Sequence, residues 1–366
     1  MIAGERVDKG ADVANVNDYL IWRGDLPINK RHPFNEVDAL VLARVSYLPF
    51  FKVGFSRRET LGSLTAKMAD FKTKDFIWPD DQPFARLLAQ SRRFRNLLVT
   101  NYARHNDPKI EKQFSAVTVH LNYREMFLSF FGTDNTLNGW KEDFNMAFME
   151  TVPAQAEGLR YTRQLARRFR WKKMYLGGHS KGGNVAMYAA VMAPDSLQRR
   201  IMRVFNLDGP GLSSGLIARD VGESILPKIV SVIPQDSVIG RLLEHREKVL
   251  VVKSEAKRLY QHDLYSWQVG YKSLVRSETT KRSDLVDKTI TTWLYSATPE
   301  QRKTFVDGMF EILAAAEVET PFDILEKWYT YVPAMVKSYR EIPKDERKVI
   351  MEVWRKLAES YFKSRG

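Results

Sequence analysis

The residues best equipped for covalent chemistry lie in Met174-Tyr175-Leu176-Gly177-Gly178-His179-Ser180-Lys181-Gly182-Gly183-Asn184-Val185-Ala186. Within it, Gly178-His179-Ser180-Lys181-Gly182 reads G-x-S-x-G. An apolar, strand-like stretch precedes the pattern and a helix-forming stretch follows it. That context suits a sharp strand-to-helix turn in which small flanking residues let strand and helix approach each other closely. The serine hydroxyl then projects above a sheet, and the backbone N–H of Lys181 sits at a helix N-terminus, placed to bind an oxyanion. The alternative is an ordinary glycine-rich turn. A phosphate loop is a poor fit, because no G-x-x-x-x-G-K-[ST] spacing occurs. The chain contains no cysteine, so it offers no thiolate nucleophile, thiolate zinc site or disulfide. A covalent acyl intermediate falls to Ser180.

Such a serine needs a base, and the six histidines are His32, His105, His120, His179, His245 and His262. In a strand-turn-helix site of this type the chain order is serine, acid, histidine, which leaves His245 and His262. His245 belongs to the charged, helix-like run Leu242-Leu243-Glu244-His245-Arg246-Glu247. His262 lies in the polar loop Tyr260-Gln261-His262-Asp263 beyond the last strand-like segment, where a base can reach back over a sheet, and is the better candidate. The orienting acid should leave the strand before that histidine. Asp236, in Ile233-Pro234-Gln235-Asp236-Ser237, does so and is preferred. Its rival Asp208, in Leu207-Asp208-Gly209-Pro210-Gly211, is read first as a structural residue of a glycine-rich turn. Phe131-Gly132-Thr133 ends an apolar strand, and Thr133 can offer an oxyanion both its N–H and its hydroxyl.

These groups must be held by a scaffold of alternating elements. Glu36 to Tyr47 and Phe84 to Asn101 read as helices, the first capped by Asn35. Phe114 to Leu121 and Glu125 to Phe131 read as a hairpin across Asn122-Tyr123-Arg124. Helices follow at Ala154–Arg170 and Lys181–Val191, and strands at Lys173–Leu176, Arg203–Leu207, Lys228–Ile233 and Lys248–Lys253. The expected class is α/β: a mostly parallel sheet with an antiparallel start, flanking helices, a helical N-terminal region and a helical C-terminal appendage. Residues 1–275 make the catalytic domain and 280–366 the helical region in this reading. Ser283-Asp284, Thr298-Pro299-Glu300, Thr320-Pro321 and Pro343 are helix starts. The appendage is either a cap or packs against the sheet. Its aromatic residues, including Trp328, Tyr329, Tyr331, Trp354, Tyr361 and Phe362, read as core or interface.

The 366 residues are 44% hydrophobic and 28% charged, the composition of a globular chain, with a formal charge of +13. Basic clusters at Arg92-Arg93, Arg95 and Arg160 to Lys173, and again near the C-terminus, are read first as solvated helix faces. Attraction to an anionic lipid surface or substrate is the second reading. No zinc-finger spacing, stacking-aromatic signature or basic tail supports nucleic-acid binding. The first residues, MIAGERVDKGADVAN, lack a signal-peptide apolar core, and no run is long enough to span a bilayer. The expected location is cytoplasmic, with a peripheral membrane association allowed.

Taken together, Phe131-Gly132-Thr133, Trp140 with Asp143, and G-H-S-K-G resemble the class 3 (fungal-type) lipase arrangement of α/β hydrolases, which typically reads F-R-G-T, N-W-x-x-D and G-H-S-x-G. Phe131 stands where that arrangement has arginine. More closely, the chain is similar to a bacterial family of largely uncharacterised lipase-like proteins. The matching stretches are Asn17 to Asp25, Phe34 to Ala39, Gly139 to Phe144, His179 to Asn184, Asp208 to Gly211 and Gln261-His262-Asp263. The resemblance implies an α/β-hydrolase fold with Ser180 as nucleophile, and it favours His262 over His245. The expected reaction is acyl transfer from a carboxylic ester, a lipid or phospholipid among the candidates, to water. Ser180, His262 and Asp236 form the triad, Thr133 and Lys181 form the oxyanion hole, and no metal or cofactor is needed. The competing readings are a catalytically inactive binding protein of the same fold and a membrane-surface adaptor.

Overall fold

The computed structural model describes residues 14–55, 57–134, 137–146, 148–218, 224–316, 318 and 321–365. Residues 1–13, read above for a leader, and Thr320, expected to cap a helix, lie outside them, as does the Trp328 side chain.

Runs rich in β-branched and aromatic residues form the sheet. In order its strands are β1 (Arg58–Thr60), β2 (Leu98–Asp107), β3 (Lys112–His120), β4 (Glu125–Phe130), β5 (Lys173–His179), β6 (Ile201–Leu207), β7 (Ile229–Pro234) and β8 (Lys248–Val252). They lie side by side in sequence order. β1 to β4 pair antiparallel, and β4 to β8 pair parallel. The hairpin between β3 and β4 turns at Asn122, whose side chain accepts from the Arg124 N–H at 2.8 Å.

Helices α1 (Val16–Arg23), α2 (Glu36–Val45), α3 (Leu61–Ala66) and α4 (Asp81–Gln90) form the N-terminal block. Asn35 caps α2 and Asp38 closes the capping box. The helix expected over Phe84 to Asn101 stops at Gln90, and Leu98-Val99-Thr100 opens β2 instead. Apolar β-branched residues there gain more by pairing with β3 than by extending a helix. The sheet is therefore mixed, with a larger antiparallel part than expected.

The sheet carries α5 (Leu137–Asn145), α6 (Pro153–Arg168), α7 (Lys181–Val191), α8 (Asp195–Gln198) and α9 (Ser214–Ala218) among its connections. One core joins α1, α2 and α4 to one face through Phe127, Phe205 and Val230. A second joins α6 and α7 to the other through Met126, Leu128 and Leu176. With both faces covered, β5 to β7 are near-continuous apolar runs. Two buried ion pairs brace the N-terminal block: Arg44 to Asp81 (2.6 and 2.7 Å) and Arg93 to Asp38 (2.6 and 2.5 Å).

The chain ends in α10 (Lys281–Ser296), α11 (Pro299–Ala315), α12 (Pro321–Glu341) and α13 (Lys344–Arg365). Their apolar centre, with Phe305, Phe310, Ile342, Ile350 and Val353, takes in Trp140 and Phe148 from in and beside α5. Phe144 meets Phe310 at 5.6 Å, Lys141 meets Asp307 at 3.0 Å, and Arg241 meets Asp287 at 2.7 Å. No described helix is long and apolar enough to cross a membrane.

Candidate active site

β5 passes into α7 through Ser180, whose φ of 58° and ψ of −133° belong to a region that L-residues rarely enter. Bare backbone on either side permits the turn. A Cβ on Gly178 would lie 2.4 Å from the Gly182 carbonyl carbon, and one on Gly182 would lie 2.2 Å from the Phe130 oxygen. The Ser180 N–H donates to Leu207 O at 2.9 Å, tying the turn to the end of β6. Lys181 begins α7, so its N–H has no preceding carbonyl within the helix to occupy it.

His262 ends a short helical turn, Arg258–His262. Its Nδ1 lies 2.6 Å from Asp208 Oδ2, and the carboxylate is 1% exposed. Asp208 Oδ1 accepts from Ser237 Oγ at 2.5 Å and from the Gly240 N–H at 3.2 Å. Asp236, the acid preferred from sequence, does not meet His262. Its carboxylate accepts from the Thr280 hydroxyl, and its N–H donates to Gln261 Oε1. The reason is strand order. Asp208 leaves β6, the neighbour of β5, and a Cβ on the following Gly209 would stand 2.2 Å from Ser180 O. Asp236 leaves β7, one strand further out. His245 turns to Glu247, 2.6 Å away.

His179, the residue before the serine, links base and turn. Its Nε2 is 2.7 Å from His262 O, and a carbonyl only accepts, so this nitrogen carries the proton. Nδ1 is then an acceptor for the Tyr47 hydroxyl at 3.1 Å, which also lies 3.3 Å from His179 O. Burial, the charge of His262 and that of Arg44 hold the His179 pKa well below its ordinary value, so the ring is neutral. The His262 loop is held from behind by Trp267 Nε1 donating to Gln261 O (2.8 Å) and by Tyr265 donating to Asp81 (2.8 Å).

Across from the turn, Gly132 packs so tightly that a Cβ would lie 2.2 Å from Tyr47 Oη and 3.3 Å from Ser180 Cβ. Thr133 follows. Its hydroxyl, expected to face an oxyanion, donates instead to Asp143 Oδ2 at 2.5 Å. Burial pushes the Asp143 carboxyl up to about 6, against the lowering influence of Lys181 and Thr133. The Lys181 ammonium is fully buried, 2.8 Å from Glu142 Oε2 and 3.7 Å from Asp143 Oδ1. Burial alone would lower its pKa, but the two carboxylates outweigh burial and raise it. Glu142 also accepts from the N–H groups of Gln113 (3.0 Å) and Ala154 (2.9 Å). These bonds fix α5, and with it Thr133, to the start of α7. Beside Tyr47 and Phe131 lies a cleft of about 180 Å³ whose walls mix aromatic rings with Lys52, Asp75, Arg104 and Gln113, and neither Ser180 nor His262 lines it.

Sequence reasoning did not single out Tyr47 or Glu142, and Asp143 entered only through the resemblance. Tyr47 acts 132 residues from its partner and Glu142 acts 39 from Lys181. No spacing rule reaches that far.

The sequence model of one family, Mbeg1-like, matches residues 88–311, more than half of the chain. The chain belongs to the Mbeg1-like family. The family span includes Thr133, Asp143, Ser180, Asp208 and His262, and it leaves Tyr47 outside. No curated protein matches the chain in sequence. Among solved structures, this Mbeg1-like chain is loosely similar to a Rhizomucor miehei lipase propeptide complex, at 11% identity and a TM-score of 0.39 over 59% of this chain and 67% of that one. Lipase II from Rhizopus niveus is 12% identical, with a TM-score of 0.35 over 56% and 71% of the two chains. A further fungal lipase is 13% identical, with a TM-score of 0.40 over 68% and 88%.

Proposed function

We propose that this Mbeg1-like protein is a serine hydrolase of the α/β-hydrolase type acting on carboxylic esters, with Ser180 as nucleophile, His262 as base and Asp208 as the orienting acid. The observation that carries the reading is the 2.6 Å His262–Asp208 pair set at the strand end beside a serine held at φ 58°. His262 removes the Ser180 proton as Oγ attacks the ester carbonyl. Asp208 keeps the imidazole proton on Nδ1 and stabilises the imidazolium. The backbone N–H groups of Lys181 and Thr133 receive the oxyanion, a contribution of about 3–4 kcal/mol per donor. Asp143 draws the Thr133 hydroxyl aside and thereby orients the Thr133 backbone. The alcohol leaves with the proton from His262. Water, deprotonated by the same base, then releases the acid and restores Ser180.

Labelling with a fluorophosphonate probe tests the reading, since the probe reacts only with an activated serine. Wild type should label and Ser180→Ala should not. A wild type that stays unlabelled across pH and detergent, or a Ser180→Ala variant that labels equally, would overturn it.

A further inference from the structure

The last helix presents a face that the rest of the chain leaves bare. α13 buries Ile350, Val353 and Ser360 against its neighbours, at 3%, 0% and 3% exposure. On the other side, Met351 (56%) and Phe362 (69%) stand in solvent, while Trp354 (49%) and Tyr361 (40%) are half-exposed at its edge, Trp354 edge-on to Phe305 at 5.3 Å. Their spacing of three, seven and one residues returns them to one side of a helix that turns about 100° per residue. Lys344, Lys348 and Arg355 are exposed on this same side. Two acids line the edge of this side: Glu352 pairs with Lys356 at 3.2 Å and Glu359 approaches Arg355 at 3.7 Å, which leaves Lys344 and Lys348 as its excess charge. Solvated helices rarely combine large apolar side chains with unbalanced positive charge on one face.

We propose that this face of α13 docks on the surface of an anionic lipid bilayer. Such a surface satisfies both halves of the pattern. Methionine and the aromatic rings enter the boundary between headgroups and acyl chains, while the lysines and Arg355 meet lipid phosphates. A second copy of the chain fits less well, because a two-fold contact would bring two net-basic faces together in a protein already carrying +13. The helix lies on the membrane rather than through it, since no described helix can span one. Its bundle rests on α5, which carries Asp143, the partner of the Thr133 hydroxyl. The surface stands independently of the catalytic reading, because binding is measured without turnover.

The test is sedimentation of the full-length protein with phosphatidylcholine vesicles that contain or lack phosphatidylserine, at low and at physiological ionic strength. Binding should require phosphatidylserine and weaken with salt. Replacing Lys344, Lys348 and Arg355 by glutamine should reduce partitioning roughly a hundred-fold, at about a five-fold loss per basic residue. Met351→Ser with Phe362→Ser, both at the most exposed apolar positions, should abolish the residual binding at higher salt. Light scattering of the free protein should show the same mass for wild type and this pair. Equal binding to neutral vesicles, no binding to either, indifference to both sets of substitutions, or a dimer lost in the Met351/Phe362 pair would overturn the proposal. The lipid and salt dependence of wild type decides it even where a variant folds poorly.

Discussion

Replacing Asp208 by asparagine separates the two candidate acids. The carboxylate receives His262 Nδ1 on Oδ2 at 2.6 Å, and Ser237 Oγ and the Gly240 N–H on Oδ1. In Asp208→Asn, the side-chain oxygen stays with its two donors, and the amide nitrogen faces Nδ1. An amide nitrogen only donates, so His262 must turn a lone pair toward it and carry its proton on Nε2. That nitrogen is then unable to accept the serine proton. A tautomer error of this kind costs about 10⁴ in kcat, or about 5.5 kcal/mol of barrier. Asp236→Asn keeps an oxygen for Thr280 and leaves its backbone bond to Gln261 untouched. Its kcat should stay within about two-fold of wild type, the scale of an ordinary surface substitution. Steady-state hydrolysis of a nitrophenyl ester measures both, with thermal melts confirming that each variant is folded. Loss of activity in Asp236→Asn with retention in Asp208→Asn would refute the assignment.

Two further expectations concern the support of the site. The Asp143 carboxyl titrates near 6 when folded against an ordinary 3.8, so the folded chain holds a proton that the unfolded chain has released. Its ionisation therefore lowers stability progressively as pH rises from about 4 to 6. Asp143→Asn should match wild type in urea unfolding below that window and exceed it above by up to roughly 3 kcal/mol; an unchanged difference across the window would contradict this. Lys181→Met strands the buried Glu142 carboxylate and should cost about 3–5 kcal/mol. Adding Glu142→Gln should recover part of that loss in the same assay, and strictly additive costs would show that the two groups are not coupled.

The residues proposed to carry the chemistry were legible where they obey local rules. The G-x-S-x-G turn, the helix after it and the strands around it follow from glycine, apolar runs and capping residues a few positions apart. So do the Asn35 and Thr298 caps, whose partners Asp38 and Gln301 lie three residues on. Strand β2 was missed because Leu98-Val99-Thr100 becomes a strand only when β3 is there to pair with it.

Composition alone removed cysteine as a nucleophile, since the chain has none, and left serine as the candidate. Local pattern singled out Ser180 as the candidate and favoured His262 over His245. Which carboxylate meets His262 was decided by the fold. Asp208 and Asp236 both leave a strand with a turn behind them, and nothing within several residues tells them apart. Only the sheet's order, with β6 beside β5 and β7 beyond it, brings Asp208 to the serine's side and sends Asp236 to the cap of α10. Tyr47 and Glu142 belong to the same class of knowledge. Each acts across long stretches of chain, and a hydrogen bond between distant residues is a property of packing, which sequence spacing does not encode.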